Sequence, residues 1–200
     1  MSKILLEQGS EAWLKYRLGK IMATDASIIS GSNFFSTELD LWEQKLLLKP
    51  QQQMNPAMQR GQLLEPEARK LACEIIGIHF EPCVYESKHH PWAAASLDGI
   101  NDATNTILEI KAPNEKSHCE AIEGIIKPYY SDQMQWQMLV CDAAKCYYFS
   151  YRPEYTSEIF ALLEVKADFE KQEFLLEKCR IFYKKMCEFD PPIDWILNKK

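Results

Sequence analysis

The sequence predicts an α/β chain of the α+β type, with a central mixed β-sheet flanked by helices. Three observations carry that expectation. Thr106-Ile107-Leu108-Glu109-Ile110-Lys111 alternates apolar and polar residues with the period of a strand, so Glu109 and Lys111 share one face while Leu108 and Ile110 take the other. The turn-rich segment Asn101-Asp102-Ala103-Thr104-Asn105 lets Leu97 to Ile100 fold back as the antiparallel neighbour. Runs with helical apolar spacing stand on both sides of this hairpin.

Taken in order, Glu11 to Leu18 suits a short helix, with Ser10 as N-cap and Gly19 at its end. Trp13 packs inward, with Arg17 four residues on and on roughly the same side. Thr24 reads as the N-cap of a second short helix, Asp25 to Ser30, stopped by Gly31. Phe34 to Leu48 has helical character, with Leu39, Trp42, Leu46 and Leu47 as apolar contacts, before a polar loop from Lys49 to Pro56. Glu67 to Ile76 is strongly helical and closed by Gly77. Pro66 belongs in a first turn or at a kink, so Glu65 stands at one of those places. Phe80 to Tyr85 is a strand leading into the hairpin. Tyr129 to Leu139 is a helix with Gln133 and Gln137 on one face, and Trp136 and Val140 on a neighbouring stripe. Cys146 to Tyr151 extends the sheet, its aromatics better suited to core packing than to stacking on bases. Lys166 to Glu188 is an amphipathic helix with Phe169, Leu176 and Met186 among its apolar residues, stopped by Pro191-Pro192. It either covers the sheet or meets another subunit.

Composition bounds the function. A chain of 200 residues is most economically one domain, residues 1–200. No apolar run reaches membrane-spanning length and the N-terminus lacks a signal-peptide pattern, so a soluble intracellular protein is expected. The seven cysteines form no C-x-x-C pair, which points to reduced, mostly buried thiols. His89-His90 has no second ligand pair at zinc spacing and reads as a loop beside Pro91-Trp92. With 29 acidic and 23 Lys or Arg residues, the chain is no broad basic DNA coat. A local lining from Arg17, Lys20, Arg60, Arg69, Lys116 and Lys127 remains available.

The hairpin is where chemistry concentrates. Asp98 alongside Glu109, with Lys111 on the same face, is either a surface hairpin whose charges are merely solvated or a cluster that costs stability unless a cation sits between the acids. Magnesium, which takes oxygen ligands and keeps several waters, is the simplest candidate. Lys111 would then orient the attacking water or assist its deprotonation. Glu65 is either a third carboxylate aimed at that site or an acid complementing a helix start. On the helix of Gln133 and Gln137, an amide faces a phosphate or merely solvent. The Thr24 helix start with Arg17 nearby is either a phosphate site or simply a capped helix beside a surface arginine.

These stations together resemble the lambda exonuclease and YqaJ-type viral recombinase branch of the PD-(D/E)XK nuclease superfamily. The matching segments run in order from Gln8-Gly9-Ser10-Glu11-Ala12-Trp13 through Arg17-Leu18-Gly19, Gly61-x-x-x-Glu65-Pro66, Ser96-Leu97-Asp98-Gly99 and Leu108-Glu109-Ile110-Lys111-Ala112-Pro113 to Tyr129-Tyr130 with Gln133-x-Gln135. The resemblance implies a PD-(D/E)XK fold and a magnesium-dependent (manganese as substitute) 5′-to-3′ exonuclease acting on linear double-stranded DNA. It implies Asp98, Glu109 and the backbone carbonyl of Ile110 as metal ligands, with Glu65 as a further active-site acid, and Lys111 serving the nucleophilic water. Arg17, Thr24, Ser96 and Gln133 are implied around the terminal 5′-phosphate, with Gln135 beside the DNA and Gln133 also in the catalytic set. Thr24 replaces the family's usual serine and Leu97 its common proline. A trimeric ring, a single-strand annealing recombinase partner and a cytoplasmic setting in a bacterial or phage-infected cell are further implications. Two rivals stand beside this reading: an endonuclease of the restriction or junction-resolving type, and a catalytically silent DNA-end-binding module.

Overall fold

In the computed structural model, residues 2–49, 54–155 and 158–189 are described. Six strands form one sheet in the order β1 (Ser2–Ile4), β2 (Glu81–Glu86), β3 (Ala94–Asn101), β4 (Thr106–Lys111), β5 (Lys145–Tyr151) and β6 (Phe160–Lys166). Every neighbouring pair is antiparallel except β4 and β5, which run parallel. A parallel pair needs a long crossover, and here α5 (Glu115–Ile122) and α6 (Pro128–Cys141) supply it. The sheet is therefore mixed and helix-flanked, as its sequence predicts.

Strand alternation sorts the side chains into two cores. Ile107, Cys146 and Tyr148 pack with Met134, Trp136 and Met138 of α6 and with Leu175, Cys179 and Phe182 of α7 (Phe169–Cys187). Leu108, Ile110, Phe149 and Tyr151 take the opposite side, against Ala68 and Ala72 of α4 (Pro56–Ile76). Four of the seven cysteines are buried, and all are free thiols. His89 and His90 do lie in a loop, His90 packing its ring on Trp92.

Several boundaries differ from the sequence expectation, each for a local reason. α1 (Glu11–Leu18) is as expected, with the Ser10 hydroxyl accepting from the Trp13 amide at 3.2 Å. In α2 (Ala23–Ile29) the cap is Met22 rather than Thr24, because the Asp25 carboxylate folds back onto the Met22 amide at 2.7 Å. Thr24 thus sits in the first turn, exposed. α3 covers only Glu38–Lys45. Thr37 and Asp40 form a reciprocal capping box that starts it there, leaving Phe34 and Phe35 in a loop. α4 begins at Pro56, capped by Asn55, rather than at Glu67. Pro66 lies inside this helix, so Glu65 is a mid-helix residue. α7 starts at Phe169 behind its cap Asp168, since Lys166 closes β6. It buries Leu175, Cys179, Phe182 and Met186, whereas Phe169 is largely exposed. β1, β6 and α5 have no counterpart in the sequence reading. The Pro191-Pro192 stop lies outside the described residues.

Candidate active site

The site is built on the β3–β4 hairpin. Its register pairs Gly99 with Leu108 and Ile100 with Ile107, which sets Asp98 beside Glu109 one step further along. A Cβ on Gly99 would stand 2.8 Å from Cβ of Phe80 and 3.2 Å from that of Leu108. Glycine is what lets the core close directly behind Asp98. Asp98 is held in place by the Ile110 amide, which donates to its Oδ2 at 2.8 Å.

Glu109 is buried and fully partnered. Gln133 Nε2 donates to its Oε1 and Gln137 Nε2 to its Oε2, each at 2.6 Å. Lys111 completes the set with an ion pair to Oε1. The two glutamines are one turn apart on α6, so a single helix face delivers both amides. Lys111 also rests on the Tyr130 ring, its Nζ 5.0 Å from the centroid.

Glu65 approaches from the other layer. Arg69, one helical turn on, pairs with the Glu65 carboxylate and donates from Nε to the Asp98 carbonyl at 2.5 Å. That arginine bolts the middle of α4 to the hairpin, a role the sequence does not announce. Burial pushes the Asp98 carboxyl well above its ordinary value, with Glu109 as the next cause. Burial likewise raises Glu65 against the pull of Arg69, and Glu109 adds to the rise. Burial alone would lower the Lys111 ammonium, but Glu109 and Asp98 outweigh it and hold the proton on. Three carboxylates thus face two cations, Lys111 and Arg69, in a poorly solvated place.

That imbalance and the all-oxygen donor set fit a hard divalent cation. Among the described residues, no three His, Cys, Asp or Glu side chains are gathered into a ready-made cage. A two-carboxylate site that keeps waters on the ion is the arrangement magnesium favours.

A second cluster lies beside the first. Ser96, two residues before Asp98 on β3, accepts from the Trp13 indole at 2.8 Å. Arg17 sits over that same indole, 4.4 Å from ring centroid to guanidinium carbon, and reaches the Thr24 hydroxyl at 3.4 Å. Arg17, Thr24 and Ser96 are thus brought together, with Trp13 as the unforeseen hub. Gln133 reaches the hairpin, but its amide serves Glu109 and not the Arg17 pocket. Gln135 is not brought there: it is buried, donating to the Lys166 carbonyl and accepting from Asp168 and Gln172. Gln137, absent from the expected site set, is a direct partner of Glu109; its i, i+4 relation to Gln133 was the available signal.

The expected basic lining is largely committed elsewhere. Lys20 pairs with Glu86, Arg60 with Glu154 and Lys127 with Glu120. Arg69 is taken by Glu65. Lys116 is exposed.

The mixed sheet, with an acid pair and a lysine on its central hairpin, defines the chain as a PD-(D/E)XK-type protein. The model of the YqaJ-like viral recombinase domain matches residues 12–144, and the chain belongs to that family. Among solved structures it resembles LHK-Exo in complex with dAMP, with 26% identity, a TM-score of 0.75 and coverage of 95% of this chain and 97% of the other. The alkaline exonuclease (LHK-Exo) from Laribacter hongkongensis gives 26% identity and a TM-score of 0.74 at the same coverage. A phage-related exonuclease from Haemophilus somnus 129PT, 16% identical with a TM-score of 0.61 over 84% of this chain and 95% of that one, shares the fold. Curated proteins yield no match to the chain. Among the described residues, no helix is long and apolar enough to cross a membrane.

Proposed function

We propose that this chain is a metal-dependent deoxyribonuclease that digests linear double-stranded DNA from a phosphorylated 5′ end and leaves 3′ single strands. The carrying observation is the hairpin: Asp98 and Glu109 side by side, Lys111 on their face, and acids outnumbering cations. LHK-Exo, 26% identical over nearly the whole chain, bears the name alkaline exonuclease, which supports the same reading.

Asp98, Glu109 and the Ile110 carbonyl would hold magnesium, or manganese in its stead, with Glu65 as a further oxygen ligand. When bound, the ion makes water more acidic and offsets charge gathering on the phosphodiester. The chain's own residues do the rest. Gln133 and Gln137 fix both oxygens of Glu109, so its orientation is set before substrate arrives. The Ile110 amide does the same for Asp98. Lys111, kept as an ammonium, donates to the attacking water and aims it at phosphorus. Arg17 has its planar fork pre-positioned on Trp13, and with Thr24 and Ser96 it grips the terminal phosphate.

A homotrimeric ring, a single-strand annealing recombinase as partner and a cytoplasmic site of action belong to this proposal. Digestion of linear duplex labelled separately at each end, with and without chelator, tests it. Label at the 5′ end should leave first, only with divalent ion, and covalently closed circles should be spared. Cleavage of closed circles would favour an endonuclease. Binding of ends without release of nucleotides in magnesium or manganese would favour the silent module.

A further inference from the structure

The loop between α2 and α3 carries two aromatic side chains that the site has not used. Phe34 and Phe35 are 77% and 71% exposed, so two large apolar rings stand mostly in water. They are not randomly placed. Their centroids lie 4.4 Å apart, and each meets Tyr129 nearly edge-on, at 5.9 and 5.7 Å. Tyr129 in turn contacts Tyr130 at 4.4 Å, and Tyr130 is the ring beneath the Lys111 ammonium. A continuous aromatic ladder therefore runs from open solvent to the lysine of the site.

The loop that presents these rings is tied down. Its Asn33 amide donates to the Ser27 carbonyl at 3.0 Å, and the Phe35 amide to Asn33 Oδ1 at 2.9 Å. Just before it, the Ser30 hydroxyl donates to Asp132 of α6 at 2.6 Å, and Lys171 of α7 pairs with the same carboxylate. The rings are thus held ready by two neighbouring helices.

We propose that Phe34 and Phe35, backed by Tyr129, form a stacking platform for unpaired bases of a nucleic-acid strand whose backbone lies at the Lys111 site. The inference rests on the nuclease reading, which supplies the strand, and deepens it by naming what holds the bases. Flat apolar faces accept any base, so the platform adds grip without sequence preference. It also supplies attraction that the committed basic residues do not. Edge-on support from Tyr129 leaves the outer phenyl faces free for a base.

The test uses the full chain with calcium in place of magnesium. The probes are a single-stranded oligonucleotide carrying 2-aminopurine and an abasic strand of equal length. Wild type should quench 2-aminopurine and bind the base-bearing strand more tightly than the abasic one. The double variant Phe34→Ala/Phe35→Ala should lose the quenching and weaken base-bearing binding roughly tenfold or more, since each base–aromatic contact carries a factor of this order. Abasic binding should stay unchanged. Phe34→Leu/Phe35→Leu should behave as the alanine pair, and Phe34→Trp/Phe35→Trp should retain binding. Equal affinity of wild type for the two strands, or full binding by the leucine pair, overturns the platform. So does a change in particle mass by light scattering with quenching intact, which would assign the rings to contact between copies of the chain. Hydrolysis of linear duplex by wild type is scored separately. Activity with no base preference sinks the platform alone, and base stacking without hydrolysis sinks the nuclease reading alone.

Discussion

The Lys45 ammonium and the Asp25 carboxylate form a buried ion pair, 2.6 Å apart, beneath the Arg17–Thr24 contact. Lys45 spends its other donors on the Arg17 and Lys20 carbonyls, both at 2.7 Å. One side chain of α3 thus joins the end of α1 to the start of α2. Burial lowers the Lys45 pKa, and Asp25 acts against that shift. Removing one partner of such a pair leaves a bare charge in the core. Lys45→Met is expected to cost about 3–5 kcal/mol of stability, read by chemical denaturation. Adding Asp25→Asn should recover part of it. A stable single variant would mean the pair is not what joins these helices.

Asp98 sets a pH dependence. Folding raises its carboxyl, and that of Glu65, above ordinary values, so the folded chain holds these protons more tightly than the unfolded one. The favourable contribution is full at pH below the ordinary carboxylate range and disappears as pH climbs through the raised values. Ion-free protein should therefore melt at lower temperature as pH rises from mildly acid to mildly alkaline, and added magnesium should reverse the loss. Asp98→Asn should flatten the slope and remove the ion's effect. Melting curves with and without ion decide it; an unchanged magnesium response in the variant would dismiss Asp98 as a ligand.

Lys111→Ala separates chemistry from binding. Without the ammonium, the attacking water loses its donor and two acids lose a counter-charge. Hydrolysis should fall by roughly 10²-fold or more, with DNA affinity in calcium largely kept. Single-turnover digestion and a binding titration report the two quantities. Full activity would strip Lys111 of its role.

Arg17→Ala addresses the end pocket. The guanidinium is already laid on Trp13 and directed to Thr24, so its loss removes a pre-set phosphate donor. The rate ratio between 5′-phosphorylated and 5′-hydroxyl duplexes should fall toward unity. A ratio equal to that of wild type would move the pocket elsewhere.

The hairpin was legible because its signals are local: alternation of period two and a polar turn. The Ser10-to-Gly19 helix was legible for the same reason. What stayed hidden depends on distant partners. Gln135 looks much like Gln133 in sequence, yet its fate is decided by Lys166, Asp168 and Gln172, more than thirty residues away. Lys20, Arg60 and Lys127 look free until Glu86, Glu154 and Glu120 arrive. Pro66 reads as a helix start or a kink, and the structure excludes the start: Ala68 and Ala72 anchor that segment against the sheet and the helix runs through the proline. The Thr37-x-x-Asp40 box that starts α3 is a local signal, yet the expectation of a helix from Phe34 passes over it. The eclipsed strands, β1 and β6, lack clean alternation.

Helix α6 carries Tyr129, Tyr130, Gln133 and Gln137 along one side. The rung of the aromatic ladder, the rest for the lysine and both clamps on Glu109 are therefore mounted on a common chassis. No one of them can be retuned by tilting the helix without disturbing the others. Substitutions that nudge α6 are expected to change strand grip and turnover in proportion, so a variant in which the two part company marks a residue acting locally.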